Sequence, residues 1–155
     1  MRRLIADAGL ADEVEVESAG TGGWHVGHPP DERATSAAAA RGIELAGEAR
    51  KVTPSDFDRF DLLIAMDRSN RNALLDLAPD AEARRKVFLL REFGSDRGAR
   101  RAKRSPAAVE AAYSGGGDVP DPYYGGDEGF EEVLDIVERS CEALLDEVRD
   151  RLPAV

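Results

Sequence analysis

The sequence is poor in the residues that build covalent and metal frameworks, with one cysteine, Cys141, and two histidines among 155 residues. A lone cysteine forms no internal disulfide and no multi-cysteine zinc or iron–sulfur site, so nothing calls for an oxidising compartment and a cytoplasmic location is expected. His25 and His28 stand three apart and could supply two metal ligands. The sequence offers no evident third or fourth, so neither a metal nor another cofactor is expected. No apolar run approaches the ~18 residues of a membrane span, and the start of the chain, although basic, has no uninterrupted apolar stretch of signal-peptide length. Basic residues are the minority as well: 21 Lys and Arg against 31 Asp and Glu leave a net charge of −10. That balance repels the phosphate backbone of nucleic acid and anionic lipid surfaces, so neither is an expected partner.

Apolar residues make up 42% of the chain, enough to fill the core of one domain spanning 1–155. Leu4, Ile5 and Ala8 mark a short helical face ending at Gly9. Val14 and Val16 alternate with Glu13, Glu15 and Glu17, the period-two pattern of an outer strand running to Ser18. After a Gly-rich loop, GTGGWHVGHPP, Asp31 is placed to cap a helix that stops near Gly42. Thr53, Pro54 and Asp56 predict a further helix start with Thr53 as its cap. Residues 62–66 are continuously apolar, as in a parallel strand buried on both faces; a helix is expected over 69–78 and another strand over 87–90. The spacing of Phe130, Leu134, Val137, Cys141, Leu144 and Val148 predicts a long final helix packed along one stripe. Strands alternating with helices predict an α/β fold. The composition shifts only over 94–118, read as a flexible surface insertion in which the basic run 97–104 is a solvated loop.

The segment DVPDPYYGGDEGF, residues 118–130, is the most specific in the chain. Pro120 and Pro122 hold Asp121 outside regular structure, and Tyr123 and Tyr124 place aromatic surface beside it. A carboxyl in such a setting is a candidate general acid, because apolar surroundings favour its protonated form; a plain proline turn ahead of a helix cap is the alternative.

With this loop, the chain resembles the low-molecular-weight protein-tyrosine phosphatases, whose acid loop reads DPY followed by an aromatic residue and Gly. VEVESAGTGGWHVGHPPDERA is similar to the family's second strand and substrate loop, GIEL to the following turn, and VTPSDFDRFDLLIAMDRSN to its third strand and following helix. The resemblance implies a three-layer α/β sandwich on a short parallel sheet of order 2-1-3-4. It also implies a cysteine-dependent hydrolase acting on a phosphotyrosine protein or a small aryl phosphate. Asp121 is then the general acid, Trp24 and Tyr123 are the aromatic walls of the substrate cleft, and Ser18 steadies the phosphate loop.

The departures are as specific as the match. Members carry Cys-x5-Arg-Ser after a first strand, and no Cys-x5-Arg occurs here: six residues beyond Cys141 stands Glu147. Arg104 and Ser105 imitate the end of that signature, but Gly98 occupies the cysteine position. Cys141, on the apolar stripe of the final helix, reads as a buried structural thiol. Gly47 stands where several relatives have a loop-supporting His. The first strand and phosphate loop would precede Met1, so the expectation is an N-terminally truncated phosphatase domain, inactive as the chain stands. A catalytically silent phosphatase-like binding module is the alternative. An arsenate reductase, which shares the fold, needs several redox cysteines and is disfavoured by having only Cys141.

Overall fold

The computed structural model of the chain describes residues 1–93, 117–122 and 127–152. Its sheet consists of β1 (Leu63–Ala65) and β2 (Val87–Leu89), paired in parallel with Leu63 opposite Val87, Ile64 opposite Phe88 and Ala65 opposite Leu89. Parallel neighbours need a crossover, supplied here by α4 (Arg68–Leu77) and α5 (Ala81–Arg85). Successive strand side chains point to opposite faces. Leu63, Ala65, Val87 and Leu89 therefore pack on one side with Phe57, Leu74 and Ala83. Leu62, Ile64, Phe88 and Leu90 pack on the other with Phe93, Val119, Cys141 and Leu144. Both faces are covered, which is why both strand sequences are apolar without interruption. The result is the expected three-layer α/β arrangement, and β1 and β2 match the expected third and fourth strands.

Among the described residues, the remaining elements are α1 (Arg2–Asp7), α2 (Glu32–Ala40), α3 (Asp56–Arg59), a 3₁₀ turn at Leu90–Glu92 and α6 (Asp127–Arg151). Gly9, at φ +71°, takes the left-handed conformation just beyond α1. Asp31 caps α2 as its position predicts, accepting the Arg33 and Ala34 N–H groups. Thr53 does not cap α3. The N-cap is Ser55, and the Asp56 carboxylate reaches back to accept the Thr53 N–H at 2.8 Å, so only the returning half of a capping box forms. The stripe on α6 packs as predicted, with Phe130, Cys141 and Leu144 buried. On its flank, Glu131, Asp135 and Glu138 recur at helical spacing and converge on Arg41 at the end of α2. Arg3 of α1 donates to Glu138 and to the Arg41 carbonyl, tying three helices together.

One expectation is corrected. Residues 14–18 keep the alternation, with Val14 and Val16 half-buried, but form no strand. Among the described residues, the N–H groups of 15–19 make no backbone hydrogen bond, and the nearest pairing is a single parallel bridge between Gly20 and Lys51. A strand needs a neighbour for its backbone rows. Here ion pairs hold the segment: Arg59 reaches Glu15 and Glu17, while Arg50 bridges Glu17 to Asp56. Of the insertion expected over 94–118, residues 94–116 lie outside the described residues, while Asp118 at its far end is attached to the body of the fold. Its carboxylate bonds Arg68 and its carbonyl accepts from Arg91.

Two outcomes follow from this packing. Phe57 is 2% exposed in the layer with Leu89, so Phe57→Ala is expected to cost about 3–5 kcal/mol in urea unfolding. The acidic cluster sets the pH response. Arg59 holds the Glu17 carboxyl below its ordinary value of 4.5. Burial works against charge on Asp56, yet Arg50 and the Thr53 N–H outweigh it and keep that carboxyl below 3.8. Groups depressed in the folded state contribute fully above their ordinary values and lose that contribution as pH falls through the lowered ones. Urea unfolding should therefore show this contribution intact from pH 7 to 5 and lost as pH drops below the range 3.8–4.5. Stability that rises on acidification through that range would contradict the assignment.

Candidate functional site

Ligands of open α/β sheets gather beyond the carboxyl ends of the strands, and here that end carries the Asp121 segment. The chain leaves β1 at Met66 and enters α4, whose N-cap Asp67 accepts the Asn70 N–H at 2.6 Å. The Met66 carbonyl accepts the N–H of Val119 at 2.8 Å, and Val119 is buried in the layer beneath. One residue earlier, Asp118 Oδ1 accepts the Arg68 N–H at 2.9 Å, and the Arg68 guanidinium spans both carboxylate oxygens at 3.1–3.2 Å. Arg91, in the 3₁₀ turn after β2, donates to the Asp118 carbonyl at 2.8 Å. These Arg68 contacts hold the Asp118 carboxyl below its usual range. From this stem Pro120, Asp121 and Pro122 continue toward α6, with Asp121 exposed.

The Gly-rich loop before α2 is pinned at its base rather than along its length. Gly20 donates to the Arg50 carbonyl and Val52 returns a bond to Gly20, while Gly27 donates to Ala49 and Ala49 to His28, all at 2.8–2.9 Å. Gly27 holds φ +83°, a conformation open to glycine. Trp24 stands 88% exposed at the crest. Its indole leans on Gly22, where an added Cβ would lie 3.0 Å from Nε1. An indole in this position presents a free apolar plane, suited to stacking against a flat ring.

The structure thus places Asp121 on an anchored stem and Trp24 on a separate loop, and it stacks Trp24 on no other described ring. Tyr123 lies outside the described residues. Ser18 is exposed in the segment held by ion pairs. Gly47 sits at φ +101°, a backbone state that disfavours a histidine there. His25 and His28 have ring centroids 5.8 Å apart. Among the described residues, no group of three or more His, Cys, Asp or Glu is placed to hold a metal. Cys141 is 7% exposed among Phe88, Leu90 and Leu144. Burial pushes its thiol up from the ordinary value, the reverse of what a nucleophilic thiolate needs. The sequence reading missed Arg68, Arg91 and Asp118. The signal available was an acid three residues before Asp121, facing an Asp-Arg pair at the end of an apolar strand.

The family model for low molecular weight phosphotyrosine protein phosphatases matches residues 1–154. The chain belongs to this family. Among its relatives, a low molecular weight protein-tyrosine-phosphatase of Streptomyces coelicolor is 41% identical over 152 residues, spanning 97% of this chain and 83% of that protein. Low molecular weight phosphotyrosine protein phosphatase 2 of Drosophila melanogaster is 39% identical, spanning 96% and 80%. Among solved structures, a protein tyrosine phosphatase of Entamoeba histolytica superposes with a TM-score of 0.80 at 32% identity, covering 96% of this chain and 84% of that one. YfkJ of Bacillus subtilis gives 0.79 at 34% identity, covering 98% and 84%. Phosphatases of this family that share the α/β layering described above thus align across almost the whole chain. Among the described residues, no helix is long and apolar enough to cross a membrane.

Enclosure of Cys141 has a direct readout. In the folded protein its thiol should react with an aromatic disulfide reagent at least on the order of 10²-fold more slowly than in denaturant. Equal rates in the two states would place Cys141 in an open environment.

Proposed function

We propose that this chain contributes the acid side of phosphotyrosine hydrolysis, with Asp121 as general acid and Trp24 and Tyr123 as walls for the phenyl ring. The nucleophile has to come from a phosphate loop that these 155 residues do not contain. The observation that carries the reading is the mounting of Asp121: a proline-flanked carboxyl on a stem fixed at the carboxyl end of β1. Membership of the phosphatase family supports the substrate class, a phosphotyrosine protein or a small aryl phosphate. No cofactor enters the scheme, and the reducing cytoplasm suits a chain whose single thiol is free.

The chemistry assigned to Asp121 follows from the leaving group. A tyrosyl oxygen with a conjugate acid near pKa ~10 departs poorly as an anion, so a proton delivered during P–O cleavage is worth roughly 10²–10⁴ in rate. As a thiolate sulfur bonds to phosphorus and the P–O bond breaks, the Asp121 carboxyl gives its proton to the phenolic oxygen. The carboxylate left behind then accepts a proton from water as that water attacks phosphorus and the S–P bond breaks, releasing phosphate. Without the thiolate the acid has nothing to assist, and loss of a nucleophile from a coupled set costs on the order of 10⁶.

The exposed indole of Trp24 favours one second reading, a phosphatase-like module that binds and does not hydrolyse. Trp24 is the only tryptophan, so its fluorescence reports directly on occupancy. Saturable quenching by a phosphotyrosine peptide, with no turnover even when a strand and Cys-x5-Arg-Ser are joined ahead of Met1, would select the module.

The 155-residue chain is expected to show no enzymatic hydrolysis of aryl phosphates. A form with a strand and Cys-x5-Arg-Ser joined ahead of Met1 should gain activity. In that form Asp121→Ala should lower kcat on phosphotyrosine by roughly 10²–10⁴ while KM changes little. Robust hydrolysis by the chain alone, abolished by Asp121→Asn, would overturn the scheme.

A further inference from the structure

We propose that Arg68 is a positioning residue for Asp121, acting through Asp118; the proposal rests on the reading of Asp121 as general acid. Two consecutive residues of the acid-bearing stem are attached at three places. The Asp118 carboxylate takes both the backbone N–H and the guanidinium of Arg68, its carbonyl takes Arg91, and the Val119 N–H goes to Met66. The anchors come from the end of β1, the first turn of α4 and the turn after β2, so the stem is referenced to both strands of the sheet. Only Pro120 separates Val119 from Asp121, and Pro122 follows, so little backbone freedom lies between the clamp and the carboxyl. Asp121 Cα stands within about 7 Å of Val119 Cα by chain length alone.

The energetics separate this role from a structural one. Arg68 and Asp118 side chains are 55% and 39% exposed, and ion pairs in that setting contribute little to global stability. Buried Val119 and the two apolar layers carry the fold. What the pair supplies is direction. A planar guanidinium spans both carboxylate oxygens while the backbone N–H of the same residue holds Oδ1, which fixes the carboxylate plane. An ammonium at this position would act as a point charge and leave that plane free.

In the chain as it stands, amide exchange of Val119 should accelerate at least about tenfold in Arg68→Ala while the thermal midpoint stays within a few degrees. In the form carrying Cys-x5-Arg-Ser ahead of Met1, Arg68→Ala and Asp118→Asn should each lower kcat on phosphotyrosine by at least about tenfold with KM unchanged. An aryl phosphate with an acidic phenol, which leaves without a proton, should lose far less, and Arg68→Lys should recover part of the phosphotyrosine rate. Unchanged Val119 exchange, a loss equal for both leaving groups, a change confined to KM or a large fall in thermal midpoint would each overturn the positioning role. Asp121→Ala, run in parallel, tells the two readings apart. If it shows no dependence on the leaving group, the general-acid assignment falls and the positioning role with it. If it shows that dependence and Arg68→Ala does not, the positioning role alone falls.

Discussion

The pairing of Leu63 with Val87 fixes the rest of the molecule. With strands of three residues each, the register leaves no slack. A slip by one position would exchange the residues facing the two layers, moving Phe88 toward the side occupied by Phe57 and Leu89 toward the side occupied by α6. The same register aligns the carboxyl ends of both strands. Met66 at one end and Arg91 beyond the other then reach the same stretch of chain, 118–119. A sheet this small works as a jig for one loop, and that loop carries the carboxyl to which we assign the chemistry.

Around the jig, charge holds what backbone pairing does not. Segment 14–18 has the composition of a strand but is retained by Arg50 and Arg59, and the ends of α1 and α2 are held on α6 by Arg3 and Arg41. Exposed ion pairs of this kind are individually weak and gain mainly by sharing partners. Each arginine here meets more than one acceptor. The two apolar layers therefore bear the stability, and the arginines decide where the less regular segments lie.

Much of this was readable from residues alone, and the failures have physical causes. Asp31 announced α2, the apolar spacing announced α6, and the unbroken runs 62–66 and 87–90 announced strands covered on both faces, because each signal is local and each was met by a local structure. The alternation of Val14 and Val16 was real, since both are half-buried, but alternation reports faces and says nothing of whether a neighbouring backbone is present. The Asp118 carboxylate meets Arg68, fifty positions away, a contact that sequence composition cannot show. For the site, two prolines single out Asp121 and the Gly-rich loop singles out Trp24 as candidates. The stem that anchors Asp121 was invisible, because it is assembled from three elements far apart in the chain.

The family supplies the reaction class, and the role we assign to Asp121 needs a nucleophile in partnership with it. Burial pushes the Cys141 thiol up from its ordinary value, which works against the thiolate that attack on phosphorus uses, and Glu147 rather than arginine stands six positions on. The decisive measurement is to mix the 155-residue chain with excess aryl phosphate, quench rapidly, and examine it by intact mass and phosphorus NMR. The expected outcome is an unmodified chain at every time point. A phosphoryl adduct on Cys141 would show that the thiol opens to substrate and that the nucleophile had been present all along.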